Sequence, residues 1–263
     1  FVKIFFLIYL AAWLELRSKE VKSFSQGFLP FFIILGFIGF LMLLQPDFGQ
    51  AITLGFTMFV LLYIFELPLR YLTITTILAT GGIVALIWHA SYRLKRILIF
   101  LNPWNDPKGD GFQVIQSLIA IGNGKWFGQG ITCSQQKHFY LPMHHTDFIF
   151  AIISEETGFF GALGCIILYV TVLYIGYGFA FTFTERFPQS FILGYTILTT
   201  TQALTNISVT LGLLPTKGIG LPLISYGNSA LLAHSIACGI IINCWRTYTN
   251  LNKKEYHNAS YST

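Results

Sequence analysis

Charge is what this sequence has least of. Only 10% of its 263 residues are Asp, Glu, Lys or Arg, against about a quarter in ordinary soluble domains. That shortage, with 54% hydrophobic residues and a mean hydropathy of +0.64, excludes a water-soluble globular protein. Cysteine is scarce as well. Of the four, Cys165, Cys238 and Cys244 lie inside apolar runs and Cys133 in a polar loop, which excludes a disulfide framework and a CxxC metal site. The apolar runs lack the period-two alternation of lipid-facing strands, which favours helices over a membrane barrel. No internal repeat of fixed period and no low-complexity linker divides the chain, and residues 1–263 are read as a single domain. The chain opens at Phe1 rather than a methionine, as a fragment or processed product would.

What remains is hydrocarbon in long runs. Polar and Gly/Pro punctuation cuts out apolar segments at about 1–16, 28–45, 50–67, 71–90, 157–183, 190–214 and 229–248. Runs of this length cross a hydrocarbon layer of about 30 Å as helices. The expected fold class is therefore all-α, a polytopic helical membrane protein with about seven transmembrane helices. Between the fourth and fifth segments lies a polar stretch, residues 92–156, that holds 14 of the 29 Asn, Asp, Gln and His of the chain. It is expected to be a large loop on one side of the membrane, carrying short interfacial helices and the function.

Arg17, Lys19, Lys22, Arg70, Arg186, Arg246, Lys253 and Lys254 fall in connections on one side, while the short connections opposite hold only Lys217. The excess of positive charge marks the first side as cytoplasmic. The C-terminus is then inside, and the QPDFGQ turn, the long loop and the LPTKG turn face outward. The loop carries Arg93, Lys95, Arg96, Lys108, Lys125 and Lys137 against this trend. Basic groups at an outer membrane surface need anionic company, which points to phosphate.

The polar residues at the membrane boundaries each have a bland and a functional reading. Asp47 sits in a Pro46/Gly49 turn, as a solvated turn aspartate or as a site residue. In FLNPWNDPKGDGFQ, Trp104 and Asp106 lie among turn-forming Pro103, Pro107, Gly109 and Gly111, as an interfacial anchor or a binding loop. Residues 113–121 place Val114, Ile115, Leu118 and Ile119 on one helical face, with Gln113, Gln116 and Ser117 elsewhere, which predicts a short interfacial helix. In LPMHHTDFIFAIISEETG, Thr146 is expected to cap a helix whose first turn holds Asp147 where the loop re-enters the membrane, a placement that the helix dipole alone would favour. His144 and His145, being adjacent, point to different sides, which disfavours a metal site using both. Glu155 and Glu156 lie about 12 Å along a helix from Asp147, rotated by roughly 80° and 180°. A close acid/base pair needs about 5 to 9.5 Å, so these glutamates are expected to pair with basic groups or hold the packing. LLPTKGIGLPLISYGNSA contains irregular backbone at membrane depth, the mark of a cavity wall. In it Lys217 is a phosphate ligand or a lysine reaching the headgroups, and Ser225 or Asn228 is expected to cap the last helix.

These stretches together resemble the SEDS family (shape, elongation, division and sporulation) of bacterial peptidoglycan glycosyltransferases, which includes FtsW, RodA and SpoVE. The resemblance runs the length of the chain through QPDFG (45–49), FLNPWNDPKGDGFQ (100–113), QSLIAIG (116–122), SQQK (134–137), HTDFIFAIISEETG (145–158) and LPTKGIGLPLISYGNS (214–229). The LPTKG form looks more like the division-type FtsW branch. Departures from the family pattern are Met143 for Glu, Phe112 for Tyr, Asn228 for Gly and Thr132 for Gly.

The resemblance implies ten transmembrane helices with both ends cytoplasmic, of which the first three are absent here. It also implies a bacterial inner-membrane location with the active site on the extracytoplasmic face. The implied reaction joins a lipid II disaccharide to a growing glycan chain, with an undecaprenyl pyrophosphate leaving group and inversion at the anomeric carbon, in building the division septum. Its catalytic aspartate corresponds to Asp147, with structural positions at Asp47, Glu155, Glu156 and Gly218. Substrate-binding candidates are Arg93, Arg96, Trp104, Asp106, Gln113, Gln116, Lys137, His145, Lys217 and Ser225. One base and several cations suit this chemistry, because the acceptor hydroxyl must lose a proton while the pyrophosphate needs positive charge. No covalently bound cofactor is implied, and a divalent cation, Mg or Mn, is compatible with this chemistry. The implied partners are lipid II, undecaprenyl pyrophosphate, the lipid bilayer, a class B penicillin-binding protein transpeptidase and other divisome membrane proteins, with no nucleic acid. Two rival readings stand beside this one: a lipid II flippase or transporter, and a non-catalytic scaffold that activates a transpeptidase. Against the transporter, the apolar segments carry few polar residues near the midplane, Gln202 and Asn206 being the main ones.

Overall fold

The computed structural model describes residues 1–17, 23–44, 48–89, 98–109, 111–134, 136 and 146–260. Eight α-helices are described: α1 (Val2–Leu16), α2 (Leu29–Leu44), α3 (Phe48–Ile64), α4 (Leu69–His89), α5 (Phe112–Gly124), α6 (Ile149–Ala180), α7 (Arg186–Thr210) and α8 (Asn228–Ser260). A π-helical turn at Phe24–Phe28 leads directly into α2, and a 3-10 turn at Pro103–Asn105 precedes α5. Among the described residues there is no strand. Each apolar segment has become a helix, since a continuously apolar chain in lipid must satisfy its own backbone hydrogen bonds. α6 and the Asn228–Leu251 part of α8 are long and apolar enough to cross a membrane.

α7 is the central helix. It packs against α1, α3, α5, α6 and α8, and its Phe191, Ile192 and Leu193 are almost fully buried beside Leu7, Leu10 and Leu14 of α1 and Leu54, Leu61 and Leu62 of α3. Gly194 makes the closest approach possible: a Cβ there would stand 2.8 Å from Leu61 Cδ1 and 2.9 Å from Leu7 Cδ2. α7 is also rich in threonine, and several of these hydroxyls bond locally. Thr196 donates to Ile192 O at 2.8 Å, Thr200 to Thr196 O at 2.8 Å and Thr205 to Thr201 O at 2.7 Å, so polar side chains are buried without tertiary partners. The outer helices turn large apolar groups outward, such as Phe37 on α2, Ile77 on α4, Tyr174 on α6 and Ile242 on α8. An apolar surface of that extent belongs in lipid.

The fifth apolar segment is longer than its composition suggested. α6 starts at Ile149 and is broken at Gly158, whose φ of 71° and ψ of −164° are non-helical. The chain from Lys125 to Gly130 repairs both sides of the break. Gln129 N and Gly130 N donate to the carbonyls of Glu155 and Glu156, while Phe159 N and Phe160 N donate to those of Lys125 and Trp126. The helix ends exposed by the break are thus capped by backbone. From Phe159 to Ala180 the second part runs 22 residues, about 33 Å at 1.5 Å per residue and close to a hydrocarbon thickness. Trp126 and Phe159 meet edge to face at its start with centroids 5.3 Å apart, and Phe127 and Phe160 lie beside them at 5.5 Å.

The expected interfacial helix exists as α5, but with a different face inward. Val114 and Ile115 are buried as anticipated, whereas Leu118 and Ile119 are exposed and Ser117 is fully buried. The reason is a tertiary bond: Ser117 Oγ donates to Thr210 O at the end of α7, which rotates α5 toward its small residues.

The break at Gly158 makes a direct prediction. Its backbone occupies a region essentially restricted to glycine, a cost of about 1–3 kcal/mol for any other residue. An added Cβ would also stand 2.3 Å from Gly128 N and 2.6 Å from Trp126 C. Gly158→Ala is expected to lower the thermal unfolding midpoint measured in detergent well beyond the effect of Gly164→Ala, where a Cβ meets nothing within 4 Å.

Candidate functional site

Residues Thr146–Phe148 form the turn that leads into α6. The sequence led us to expect Thr146 as the cap and Asp147 in the first turn. Instead Phe148 occupies the cap position without a side-chain cap bond, and no acidic residue lies in the first turn. The turn is held by tertiary bonds. Asn206 on α7 donates through Nδ2 to both Asp147 O and Ile219 O, each at 2.7 Å. Ser225 Oγ donates to Thr146 O and accepts from Leu221 N at 2.6 Å. Ser225 is therefore not a cap for α8, and Asn228 is that helix's first residue. The connection from α7 to α8 is anchored further by Tyr169 on α6, whose hydroxyl donates to Pro222 O. Three elements thus pin Asp147: the start of α6, the outer part of α7 and the irregular connection.

The Asp147 carboxyl is half-buried, and that burial pushes it above the usual carboxylate range. Lys217 is also half-buried, and burial lowers its ammonium. The two desolvated groups sit on adjoining chain segments. A Cβ added at Gly218 would lie 3.7 Å from Asp147 Oδ2, and one added at Gly49 on α3 would meet Lys217 Cδ at 2.9 Å. Asp147 opens onto a cavity of about 910 Å³ whose wall includes Thr146, Gly218, Ser225, Gln202 and His234. A single carboxylate, raised by burial at the edge of this cavity, is equipped to accept a proton from a bound hydroxyl.

The other sequence candidates are distributed unevenly. Gly218 and Ser225 line the cavity with Asp147, and Lys217 lies next to it in the chain. Trp104 is exposed, and Asp106 belongs to a tight loop in which Gly109 N and Gly111 N both donate to its carbonyl. Gln113 and Gln116 are half-buried on α5. None of these four lines the cavity. Glu155 is fully buried. It accepts from Ser134 Oγ rather than pairing with a basic group, and its Oε1 has no hydrogen-bond partner. Glu156 lies beside it and is half-buried. Asp47, Arg93, Arg96, Lys137 and His145 lie outside the described residues. Among the described residues no group of three or more His, Cys, Asp or Glu is placed to hold a metal ion, and no step is derived through a divalent cation. Asn206 and Gln202 are the residues that sequence reading passed over as site members. Their signal was that of amides in an otherwise apolar spanning segment.

Two expectations follow from this geometry. Because the folded Asp147 carboxyl titrates above its ordinary value, the unfolded chain loses this proton first as pH rises. Stability is therefore lost between the two values, and the cost is fully present above the folded one. Asp147→Asn is expected to raise the thermal midpoint at neutral pH, with the gain vanishing below the ordinary carboxylate range. Asn206→Leu strands two carbonyls, at about 1–3 kcal/mol each, and is expected to lower the midpoint at every pH.

The FtsW/RodA/SpoVE model, described as cell cycle protein, matches residues 1–250. A probable peptidoglycan glycosyltransferase FtsW of Trichlorobacter lovleyi is 39% identical over 243 residues, covering 92% of this chain and 64% of the relative. Stage V sporulation protein E of Bacillus subtilis is 38% identical over 247 residues, covering 94% and 67%. The chain spans 64% and 65% of the length of the FtsW relatives from T. lovleyi and Geobacter sulfurreducens. Among solved structures, a chain described under "Structural coordination of polymerization and crosslinking by a peptidoglycan synthase complex" aligns with a TM-score of 0.69 at 32% identity, covering 91% of this chain and 66% of that one. The rod shape determining protein RodA of Thermus thermophilus aligns at 0.53 and 26% identity, covering 85% and 59%. With its model matched over residues 1–250 and relatives at 38 and 39% identity, this polytopic helical membrane protein belongs to the FtsW/RodA/SpoVE family.

Proposed function

We propose that the chain is the main part of a peptidoglycan glycan-strand polymerase of the bacterial inner membrane, with Asp147 as its general base. The observation that carries the reading is the half-buried Asp147 carboxyl, raised by burial and facing the cavity that Gly218 and Ser225 share. The relatives named peptidoglycan glycosyltransferase and the structural likeness to a chain of a peptidoglycan synthase complex support the substrate class.

In the proposed reaction Asp147 takes the proton of an acceptor sugar hydroxyl on lipid II. The freed oxygen attacks the anomeric carbon of the glycan chain held on undecaprenyl pyrophosphate. The new glycosidic C–O bond forms as the C–O bond to pyrophosphate breaks, the pyrophosphate leaves with the electron pair, and the anomeric carbon inverts. A pyrophosphate leaving group needs no second carboxylic acid, which accords with one carboxylate in this cavity. Lys217 is proposed to offset the developing charge. Its depressed ammonium remains a hydrogen-bond donor in either protonation state.

The Asp147 end of the cavity is proposed to face outward and the C-terminus inward, following the positive charge at Arg17, Arg70, Arg186 and Arg246. A class B penicillin-binding protein is the proposed partner, by likeness to the synthase complex, and the septum the proposed place of action, by likeness to FtsW relatives. The test is polymerisation of labelled lipid II by the full-length parent reconstituted with its transpeptidase. Asp147→Asn is expected to reduce the rate by about 10²–10⁴, the typical contribution of a positioned base, while the protein stays folded. Equal polymer from both would make Asp147 structural. No polymer from the wild type would favour a lipid II transporter or a scaffold.

A further inference from the structure

Leu223 stands in the cavity wall in a backbone conformation that a leucine avoids. Its φ is 65°, a left-handed geometry uncommon for any large side chain, and the side chain is exposed where it lines the cavity with Ser225. Strain of this kind persists only where the surrounding bonds leave the chain no alternative. The bonds on both sides of Leu223 do so. Ser225 N donates to Leu221 O at 2.8 Å, and Ser225 Oγ accepts from Leu221 N at 2.6 Å, which closes Leu221–Ser225 into a ring. The carbonyl immediately before Leu223 is held from outside that ring, because the Tyr169 hydroxyl donates to Pro222 O at 2.5 Å.

Tyr169 reaches this carbonyl from the spanning part of α6. A straight helix would hold Phe150 and Tyr169 about 28 Å apart. The break at Gly158 instead brings both into one buried cluster with Ala203 and Ile207 of α7 and Leu221 of the connection. Tyr169 is 4% exposed and is not part of the cavity wall, so it acts on the site only through Pro222. From Pro222 the connection leads to Asp147 in both directions. Gly218, four residues earlier, lies where an added Cβ would stand 3.7 Å from Asp147 Oδ2, and Ser225, three residues later, donates to Thr146 O.

We infer that Tyr169 is a positioning residue, which through Pro222 O holds the strained Leu221–Ser225 turn in register with the Thr146–Asp147 turn and so keeps the base in place. The catalytic sense of this role rests on the polymerase reading; the coupling of Tyr169 to the Asp147 turn does not. Without the Tyr169 bond, Leu223 relaxes to negative φ and the ring moves with it. Ser225 then leaves Thr146 O, and Asp147 loses its alignment and part of its burial.

The test uses the full-length parent reconstituted with its transpeptidase, with lipid II varied at fixed protein. Tyr169→Phe is expected to lower kcat about tenfold at unchanged KM, the loss of one buried hydrogen bond felt in the alignment of the base. Adding Leu223→Gly, which accepts positive φ without strain, is expected to restore most of that kcat. An unchanged kcat, an effect confined to KM, or a double variant no better than Tyr169→Phe overturns the inference. Thermal unfolding of the parent in detergent at neutral pH gives a readout without turnover. The rise in midpoint expected from Asp147→Asn shrinks in the Tyr169→Phe background, whereas strictly additive effects would show that Tyr169 supports only the packing and overturn the inference. Failure of the polymerase reading appears separately, as a wild-type parent that makes no polymer from lipid II while the thermal coupling of Tyr169 to Asp147 persists.

Discussion

The site depends on one side chain. The Asn206 amide donates to two backbone carbonyls from segments far apart in sequence, that of Asp147 before α6 and that of Ile219 in the connection to α8. Neither segment is regular secondary structure, so neither could hold a fixed position at membrane depth without such a partner. α7 can carry this polar group because it is wedged between α1, α3 and α6 and because Gly194 lets two neighbours close on it. The rigid packing of the inner helices is thereby transferred to a single carboxylate on a turn.

The second constraint is the broken helix α6. A continuous helix from Ile149 would leave no place for the chain at Gly124–Gly130, which packs against the break and closes its open backbone ends. The tight fit of Gly124 and Gly128 against the carbonyls of Ser154 and Glu156 fixes α5 and its loop to the same element that begins at the Asp147 turn. The loop region and the membrane region therefore share one frame. The pair of aromatic contacts at the break, Trp126 with Phe159 and Phe127 with Phe160, marks the level at which the spanning part starts.

Much of this was legible in the sequence. The seven apolar segments all became helices, because hydrocarbon length is a constraint that a local reading detects, although α6 begins eight residues before its segment and α8 runs on to Ser260. Asp147 stood out as a carboxylate between a polar loop and an apolar run, although the helix dipole alone would favour an aspartate there. The remainder was hidden where tertiary bonds override local preference. Thr146 and Ser225 have the chemistry of caps but are bonded to each other's segments. Ser117 turned inward to reach Thr210 and took α5 with it. Asn206 and Gln202 gave only the weak signal of amides in a lipid-spanning run, and nothing local marks Asn206 as the one that braces the turn. Trp104, Asp106, Gln113 and Gln116 are polar and near the membrane boundary, yet they lie off the cavity wall, since membership of one loop does not place residues in one pocket.

The central claim is that one desolvated carboxylate, raised by burial, is the base. Its most direct test is the pH dependence of the initial polymerisation rate of the full-length parent with its transpeptidase, from acidic to neutral pH at saturating lipid II. The account predicts a single acidic limb, with a midpoint above the ordinary aspartate value, that disappears from the residual rate of Asp147→Asn. An acidic limb at the ordinary aspartate value, or one that persists unchanged in Asp147→Asn, would contradict it.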